Sequence, residues 1–524
     1  MLDRAETVRP RCALVAAASS TTAALFALAL AATSVVAPSS ARAADYLVDP
    51  NYAGVNGAAF GSYAGAYNNI TTALAAGGVP SGAASNNINR IYIAPGTYNT
   101  AYDPAHGINT GVSLSSNQSN IALIGLTGNA DDVVITSTLD AAYNPGTGAI
   151  GTTGSSSLQI KGSHVSAAGI TFANSTDTPY IVNVGHQAVS PQGNYATGQS
   201  QTSNSQGVAL KVTGGDRAAF ANCKFLGYQD TLYVDNGRSY FKNCYVSGDI
   251  DFIFSKGTAV FKNSTINMDG DHPGGTVTAA STDKRTSNGI VFLDSEIKSQ
   301  GVRGNPVIDP FNAASASGAP NNNMYLGRPW GWTQTGGDAS TVFINTKMAA
   351  AIRDVGWLNW NGNELNPFNN KNDGDPAKDS RYAEFNSMDE NGNPLNVSSR
   401  VSWSKQLSAS QAAAYSVLNL FAVEANYPWY GLGYAGVADP TNPNYSWPAY
   451  WGNRNSNNDT ANATVSGVYP APGNPSAYSN PQWVIAGSWD PEAQLAYAVP
   501  EPASVGVIAC AALAACARRR RNYC

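Results

Sequence analysis

The stretches FANCKFLGYQD, from Phe220, and FKNCYVSGDID, from Phe241, match at five positions of one register. Phe220 and Phe241, Asn222 and Asn243, Cys223 and Cys244, Gly227 and Gly248, and Asp230 and Asp251 are each 21 residues apart. Looser copies of the Phe-x-Asn-small pattern begin at Phe172, Phe261 and Phe343, and at Phe292 with Asp in place of Asn. Short strand-like runs that return at a period near twenty, with neither a helical nor a leucine-rich signature, predict an all-β protein, a right-handed parallel β-helix. A solenoid also relaxes the domain count that 524 residues would otherwise suggest. Charged residues make up only 12% of the chain and glycines number 51, which suits turns and short strands better than long helices.

Both ends read as addresses rather than as parts of the solenoid. Arg4, Arg9 and Arg11 precede an apolar Ala/Leu run and then Ala41-Arg42-Ala43, the pattern of a secretory signal peptide over residues 1–43 cleaved before Ala44. Residues 500–524 carry Pro500-Glu501-Pro502, an apolar run from Ala503 to Ala517 that is short for a membrane span, and four arginines. This tail resembles the PEP-CTERM sorting signal of Gram-negative, exopolysaccharide-producing bacteria. The resemblance implies a secreted or cell-surface protein and a C-terminal sorting protease as a partner. Removing the eight arginines and three carboxylates of the two ends takes the net charge from −5 to −10, so the basic footprint of a nucleic-acid-binding protein is absent. Four of the six cysteines leave with the ends; the two that remain, Cys223 and Cys244, predict one disulfide in an exported chain.

If the 21-residue period is one coil, equivalent residues stack at the strand spacing of about 4.8 Å. The phenylalanines then form an internal aromatic stack, the asparagines a hydrogen-bonded ladder, and Cys223 comes within bridging range of Cys244. Asp230 and Asp251 become neighbours on one face. Two carboxylates so close cannot both ionise freely, which splits them into an acid and a base or nucleophile. Asp249, two residues before Asp251, is expected to be a solvated turn residue, and Phe252 to point into the core.

The segments SQGVALKVTGGDRAAFANCKFLGYQDTLY, GDIDFIF and MYLGRPWG follow in that order, and together they resemble the pectin methylesterase family of secreted carbohydrate esterases. NRIYIAPGTYNT, NIALIGL, GITFANS, YAEFN, RVSW and LNLF extend the resemblance from about Tyr46 to Phe421. It implies a catalytic β-helix over residues 44–425 that hydrolyses methyl esters of galacturonate in pectin. Asp251 would be the nucleophile, Asp230 the acid/base, Gln229 and Gln206 the oxyanion donors, and Arg328 the cation that holds the nucleophile. Tyr233, Phe254, Trp330 and Trp357 match family positions that line the sugar cleft. The implied chemistry requires no metal and no organic cofactor, and the enzyme is expected to act as a monomer. Thr100 stands where the family motif has Glu, Gly207 replaces an Ala and Ser255 a Gly; none of the three removes a reacting group.

Other readings of the residues compete with this one. A β-helix with paired carboxylates also suits a glycoside hydrolase acting on polygalacturonate, and the aromatic, Asn- and Pro-rich extension at 426–499 suits a non-catalytic surface carbohydrate-binding protein. Gln187, in GHQAV, competes with Gln206 but lacks the downstream KVTGGDRAAF context. His106, His164, His186 and His272 are scattered, and no G-x-S-x-G elbow occurs.

Overall fold

A chain that must turn sharply once per coil needs a residue that tolerates the left-handed backbone region, and the repeated asparagine supplies it. Asn222, Asn243, Asn263, Asp294, Asn345 and Asn386 all have φ between 48° and 53°, where Asn and Asp are the side chains that adapt most readily. Their side chains form parts of the expected ladder: Asn243 Nδ2 donates to Asn222 Oδ1 at 3.4 Å, Asn345 Nδ2 to Asp294 Oδ1 at 2.8 Å, and Asn386 Nδ2 to Asn345 Oδ1 at 3.0 Å.

The computed structural model describes residues 44–75, 77–100, 112–142, 148–175, 206–270, 274–282, 288–302, 305, 307, 317–330, 339–360, 380–421 and 489–498. The leader, the sorting tail, Gln187 and most of the 426–499 extension therefore lie outside the described residues. Among those described, strands assemble into three sheets of twelve, eight and seven strands. Every pairing between them is parallel, for example Phe220 with Phe241 and Lys224 with Tyr245. Successive coils contribute one strand to each sheet, which is the β-helix.

Inside the coils the aromatic stack is real. The rings of Phe220, Phe241, Phe261, Phe292 and Phe343 follow one another at centroid separations of 4.9, 4.5, 4.9 and 4.5 Å, with ring planes within 16° of parallel. Each ring is completely buried. Phe172 does not belong to this file. It pairs with Phe225 in the second sheet, while the position below Phe220 is held by Ala167. Its FANS motif lies on the strand after the turn rather than before it, and its Asn174 is a buried anchor donating to Leu139 O and Ser155 O at 2.9 and 3.0 Å.

Cys223 and Cys244 stand on adjacent coils as expected, with Tyr245 N donating to Cys223 O at 2.9 Å, yet both are free thiols. The expected disulfide is therefore corrected. In-register neighbours of a parallel sheet point their side chains the same way rather than toward each other, and here each thiol donates to a backbone carbonyl. Cys223 Sγ lies 3.4 Å from Ala221 O, and Cys244 Sγ 3.4 Å from Lys242 O. Burial pushes the Cys223 thiol up to about 12 and raises that of Cys244 well above the ordinary range, so both remain protonated fillers of the core.

Alternate residues of the twelve-stranded sheet face outward and build a second apolar cluster that includes Ala219, Ala221, Tyr240 and Val260. Two later segments cover it. The helix Val417–Phe421 brings Leu420 and Phe421 onto it, and residues 489–498, with the short helix Pro491–Leu495, add Trp489, Leu495 and Ala498. Polar bonds fix the second segment: Tyr240 Oη donates to Glu492 Oε1 at 2.6 Å, Lys242 pairs with Glu492, and Gln494 Nε2 donates to Ser166 Oγ and Arg217 O, each at 3.0 Å. The end of the extension thus packs across the β-helix.

Candidate active site

The seven-stranded sheet carries the two aspartates at one end of neighbouring strands. Leu232–Val234 pairs with Ile253–Ser255 so that Leu232 faces Ile253. Two residues earlier, Asp230 stands over Asp251, with Asp230 N donating to Ile250 O at 3.1 Å. Both occupy the left-handed region, at φ 65° and 50°, a conformation that costs Asp less than most side chains. The turn that precedes each strand therefore aims both carboxylates at the same side.

Their surroundings differ sharply. Asp251 is buried and gripped by Arg328, whose Nε donates to Oδ1 at 2.9 Å and whose Nη2 donates to Oδ2 at 2.6 Å. Thr276, its neighbour on the next coil, donates its hydroxyl to Asp251 Oδ1 and accepts Asp251 N at 3.1 Å. Asp230 has neither partner among the described residues. Burial, then the negative charge of Asp251, hold its carboxyl well above the usual carboxylate range, and the more distant pull of Arg328 does not offset them. One aspartate is held by a guanidinium and a hydroxyl, and the other has neither.

The remaining expected residues fall into three groups. Gln229 and Gln206 come from adjacent coils beside Asp230, with Gly207 N donating to Gln229 O at 3.2 Å, and both side chains are partly exposed. Tyr233 and Phe254 stack at 4.1 Å, and Trp330 meets them edge-on at 6.0 and 5.6 Å. At 5% and 4% exposure Tyr233 and Phe254 mainly support Trp330, which is the ring left partly open. Trp357 is corrected out of this set. It is completely buried and stacks at 4.4 Å on Tyr382 inside the coil, so it has no face for a sugar.

Asp249 also departs from expectation. It is buried rather than solvated, its amide donating to Tyr228 O at 3.3 Å and its Oδ1 accepting Ile250 N at 2.5 Å, so it shapes the turn that presents Asp251. Phe252 points into the core as expected.

Two residues near the site escape sequence reasoning. Thr276 lies 25 positions beyond Asp251 across an irregular coil, so the 21-residue period does not find it. Trp360 lies under Arg328, whose guanidinium carbon is 4.5 Å from the ring centroid, a cation–π contact that helps to hold the planar guanidinium in place. Among the described residues, no cluster of three or more His, Cys, Asp or Glu has the arrangement of a metal site.

Comparison with known proteins places this geometry in company. The family model described as Pectinesterase matches residues 193–424. Pectinesterase 31 of Arabidopsis thaliana is 33% identical over 291 residues, covering 55% of this chain and 71% of the relative. Pectinesterase 5 of the same plant is 36% identical over 233 residues, 43% of this chain but only 34% of the relative. Among solved structures, the pectin methylesterase of Erwinia chrysanthemi superposes with a TM-score of 0.51 at 27% identity, covering 72% of this chain and 96% of that one. The pectin methylesterase from Yersinia enterocolitica gives 0.50 at 28%, covering 68% and 98%.

Proposed function

The chain belongs to the pectinesterase family, and from that premise we propose that it hydrolyses the methyl esters of galacturonate units in pectin, releasing methanol and pectate, with Asp251 as nucleophile and Asp230 as acid and then base. The observation that carries the assignment of roles is the asymmetry of the pair: Arg328 and Thr276 bind Asp251, while Asp230 has neither partner among the described residues and burial raises its carboxyl pKa.

The chemistry follows from that asymmetry. The Asp251 carboxylate attacks the ester carbonyl, and the amide groups of Gln229 and Gln206 stabilise the tetrahedral oxyanion where its charge develops. Methoxide is a poor leaving group, so Asp230 gives it a proton and methanol departs. The acyl-enzyme that remains is an anhydride of Asp251. Asp230, now a carboxylate, takes a proton from water as the water attacks that anhydride, which frees the galacturonate carboxyl and restores Asp251. Arg328 holds Asp251 in one rotamer through its planar fork.

Methanol release from highly methylated homogalacturonan, with simple acetyl esters as controls, tests the reading. Release of new reducing ends without methanol would support the glycoside hydrolase instead, and binding without turnover the carbohydrate-binding protein. The arginine-led apolar leader and the Pro-Glu-Pro tail support export to the surface of a Gram-negative cell followed by C-terminal processing. The domain limits follow the same reading: signal 1–43, catalytic β-helix 44–425, extension 426–499 and sorting tail 500–524. The β-helix is read as acting as a monomer.

A further inference from the structure

The file of buried phenylalanines ends in a charge. Strand Ser380–Phe385 lies in register on Ala339–Ile344, and the residue that falls on Phe343 is Glu384. Asn386, two residues on, belongs to the asparagine ladder, so this coil follows the repeat with a carboxylate in place of a further ring. Glu384 is completely buried. Arg400 meets its charge, with Nε donating to Oε1 at 2.8 Å and Nη2 to Oε2 at 3.2 Å, and Ser387 Oγ donates to Oε2 at 2.9 Å. The Arg400 side chain is itself only 5% exposed. A buried ion pair is a weak source of stability beside apolar side chains of the same volume. Another phenylalanine would have filled the position without it.

What the pair does provide is a grip on a neighbouring loop. Arg400 Nη1 donates to Arg353 O and Asp354 O, each at 3.0 Å. Gly356, at φ 74°, makes room for the arginine, because a Cβ there would stand 2.6 Å from Arg400 Cδ. Tyr382, on the same strand as Glu384, adds its stack on Trp357 at 4.4 Å. The loop in turn binds strand Tyr325–Pro329, the last of the seven-stranded sheet. Arg353 N donates to Met324 O at 2.8 Å, Leu326 N to Gly356 O at 2.7 Å and Leu358 N to Gly327 O at 3.0 Å. The residue after Gly327 is Arg328. An edge strand lacks a second strand to fix it; here the loop takes that part, and it also carries Trp360 under the Arg328 guanidinium.

We infer that Glu384 and Arg400 are positioning residues for the reaction: a buried clamp that, through residues 353–358, sets where the Arg328 fork meets Asp251. This rests on the pectinesterase reading above. Neither residue touches the nucleophile. They act on it through the edge strand, whose placement decides the two fork bonds of 2.9 and 2.6 Å. A nucleophile displaced by a fraction of an ångström reacts more slowly while the polymer still binds, so the clamp bears on kcat rather than on KM.

A double-mutant cycle on methanol release tests the clamp. Arg400→Lys keeps a cation beside Glu384 but loses the bonds to Arg353 O and Asp354 O, and it is expected to lower kcat by about tenfold with KM nearly unchanged. In an Arg328→Lys background the fork is already gone, so the same substitution is expected to lower kcat by less than about twofold. Glu384→Gln should give the same pattern. A full loss in both backgrounds overturns the inference and assigns the pair to general stability; no loss in either overturns it as well. Should both variants fail to fold, Ser387→Ala removes one donor from Glu384 and carries the same comparison, with an expected loss of about threefold in the wild-type background only. If the wild type releases no methanol, the functional reading fails instead, and amide hydrogen exchange decides the clamp separately. Faster exchange over residues 324–328 in Arg400→Lys, with residues 218–226 unchanged, supports it. Equal rates over 324–328, or the same acceleration in both segments, overturn it.

Discussion

The twelve-stranded and seven-stranded sheets both turn alternate side chains outward, and the chain treats the two faces in opposite ways. Over the first, Trp489, Leu495, Ala498 and Phe421 seal the apolar surface. Over the second, Gln206, Gln229, Asp230, Arg328, Trp330 and Lys256 keep part of their surface free. The difference lies in what each face offers. Small and aliphatic outward residues such as Ala219, Ala221 and Val260 gain most from being covered, and a β-helix that left them bare would expose a broad apolar strip. A face of amides, carboxyls and a guanidinium gains nothing by being sealed, because every buried polar group would need a partner. One face is finished by the chain itself, and the other is left for a ligand.

The comparison can be broken most directly at the nucleophile. Asp251→Ala should reduce methanol release by roughly a thousandfold or more, because nothing else on the open face forms the acyl-enzyme. Substantial residual turnover by that variant would move the chemistry elsewhere. Arg328→Lys keeps a positive charge but loses the fork, and a fall in kcat of about a hundredfold is expected, with KM less affected; wild-type kinetics would dismiss Arg328 as the positioning group. Thr276→Val is nearly isosteric and removes one hydroxyl donor from Asp251, so a fall in kcat of about tenfold is the expected size.

The covered face predicts the reverse pattern. Leu495→Ala should lower unfolding stability by about 2–3 kcal/mol, the usual cost of emptying a buried leucine site, while kcat/KM for pectin stays at the wild-type value. A loss of activity at full stability would mean that the two faces are not independent. The smallest effect concerns Asp230 and pH. Its folded-state pKa is raised, so the neutral form favours the folded protein below the ordinary carboxylate pKa, and that contribution is lost as pH rises through the folded value. Asp230→Asn cannot ionise, so its unfolding midpoint should decline less than the wild type's over that alkaline side. Parallel declines would show that Asp230 does not carry the strain. Catalysis has the same sign, since leaving-group protonation fails as Asp230 ionises.

Much of the architecture could be read from the chain because a β-helix stacks like on like. A period of 21 residues between Phe220 and Phe241 translates directly into ring centroids 4.9 Å apart, and the same register sets Asp230 over Asp251. The reading failed over side-chain direction at the two cysteines and over register at Phe172. Cys223 and Cys244 were brought to adjacent coils by the same spacing and still remain thiols bonded to carbonyls. Phe172 carried the motif but landed in another sheet, because it follows the turn and pairs with Phe225, while Ala167 holds the place before the turn that Phe220 takes on the next coil.

What the sequence determined by itself was the repeat, and with it the fold class and the stacked aspartates Asp230 and Asp251, since each depends on local spacing; Gln206, Gln229 and Arg328 became candidates through the family resemblance of their motifs. Only the tertiary structure decided which aspartate Arg328 and Thr276 bind, that Trp357 lies inside the coil, that Trp360 lies under Arg328, and that residues 489–498 cover the far sheet. Those outcomes depend on burial and on partners separated by tens to hundreds of residues, as between Gln494 and Ser166. Desolvation and charge act through space, and the distances they act over exist only once the coils have stacked.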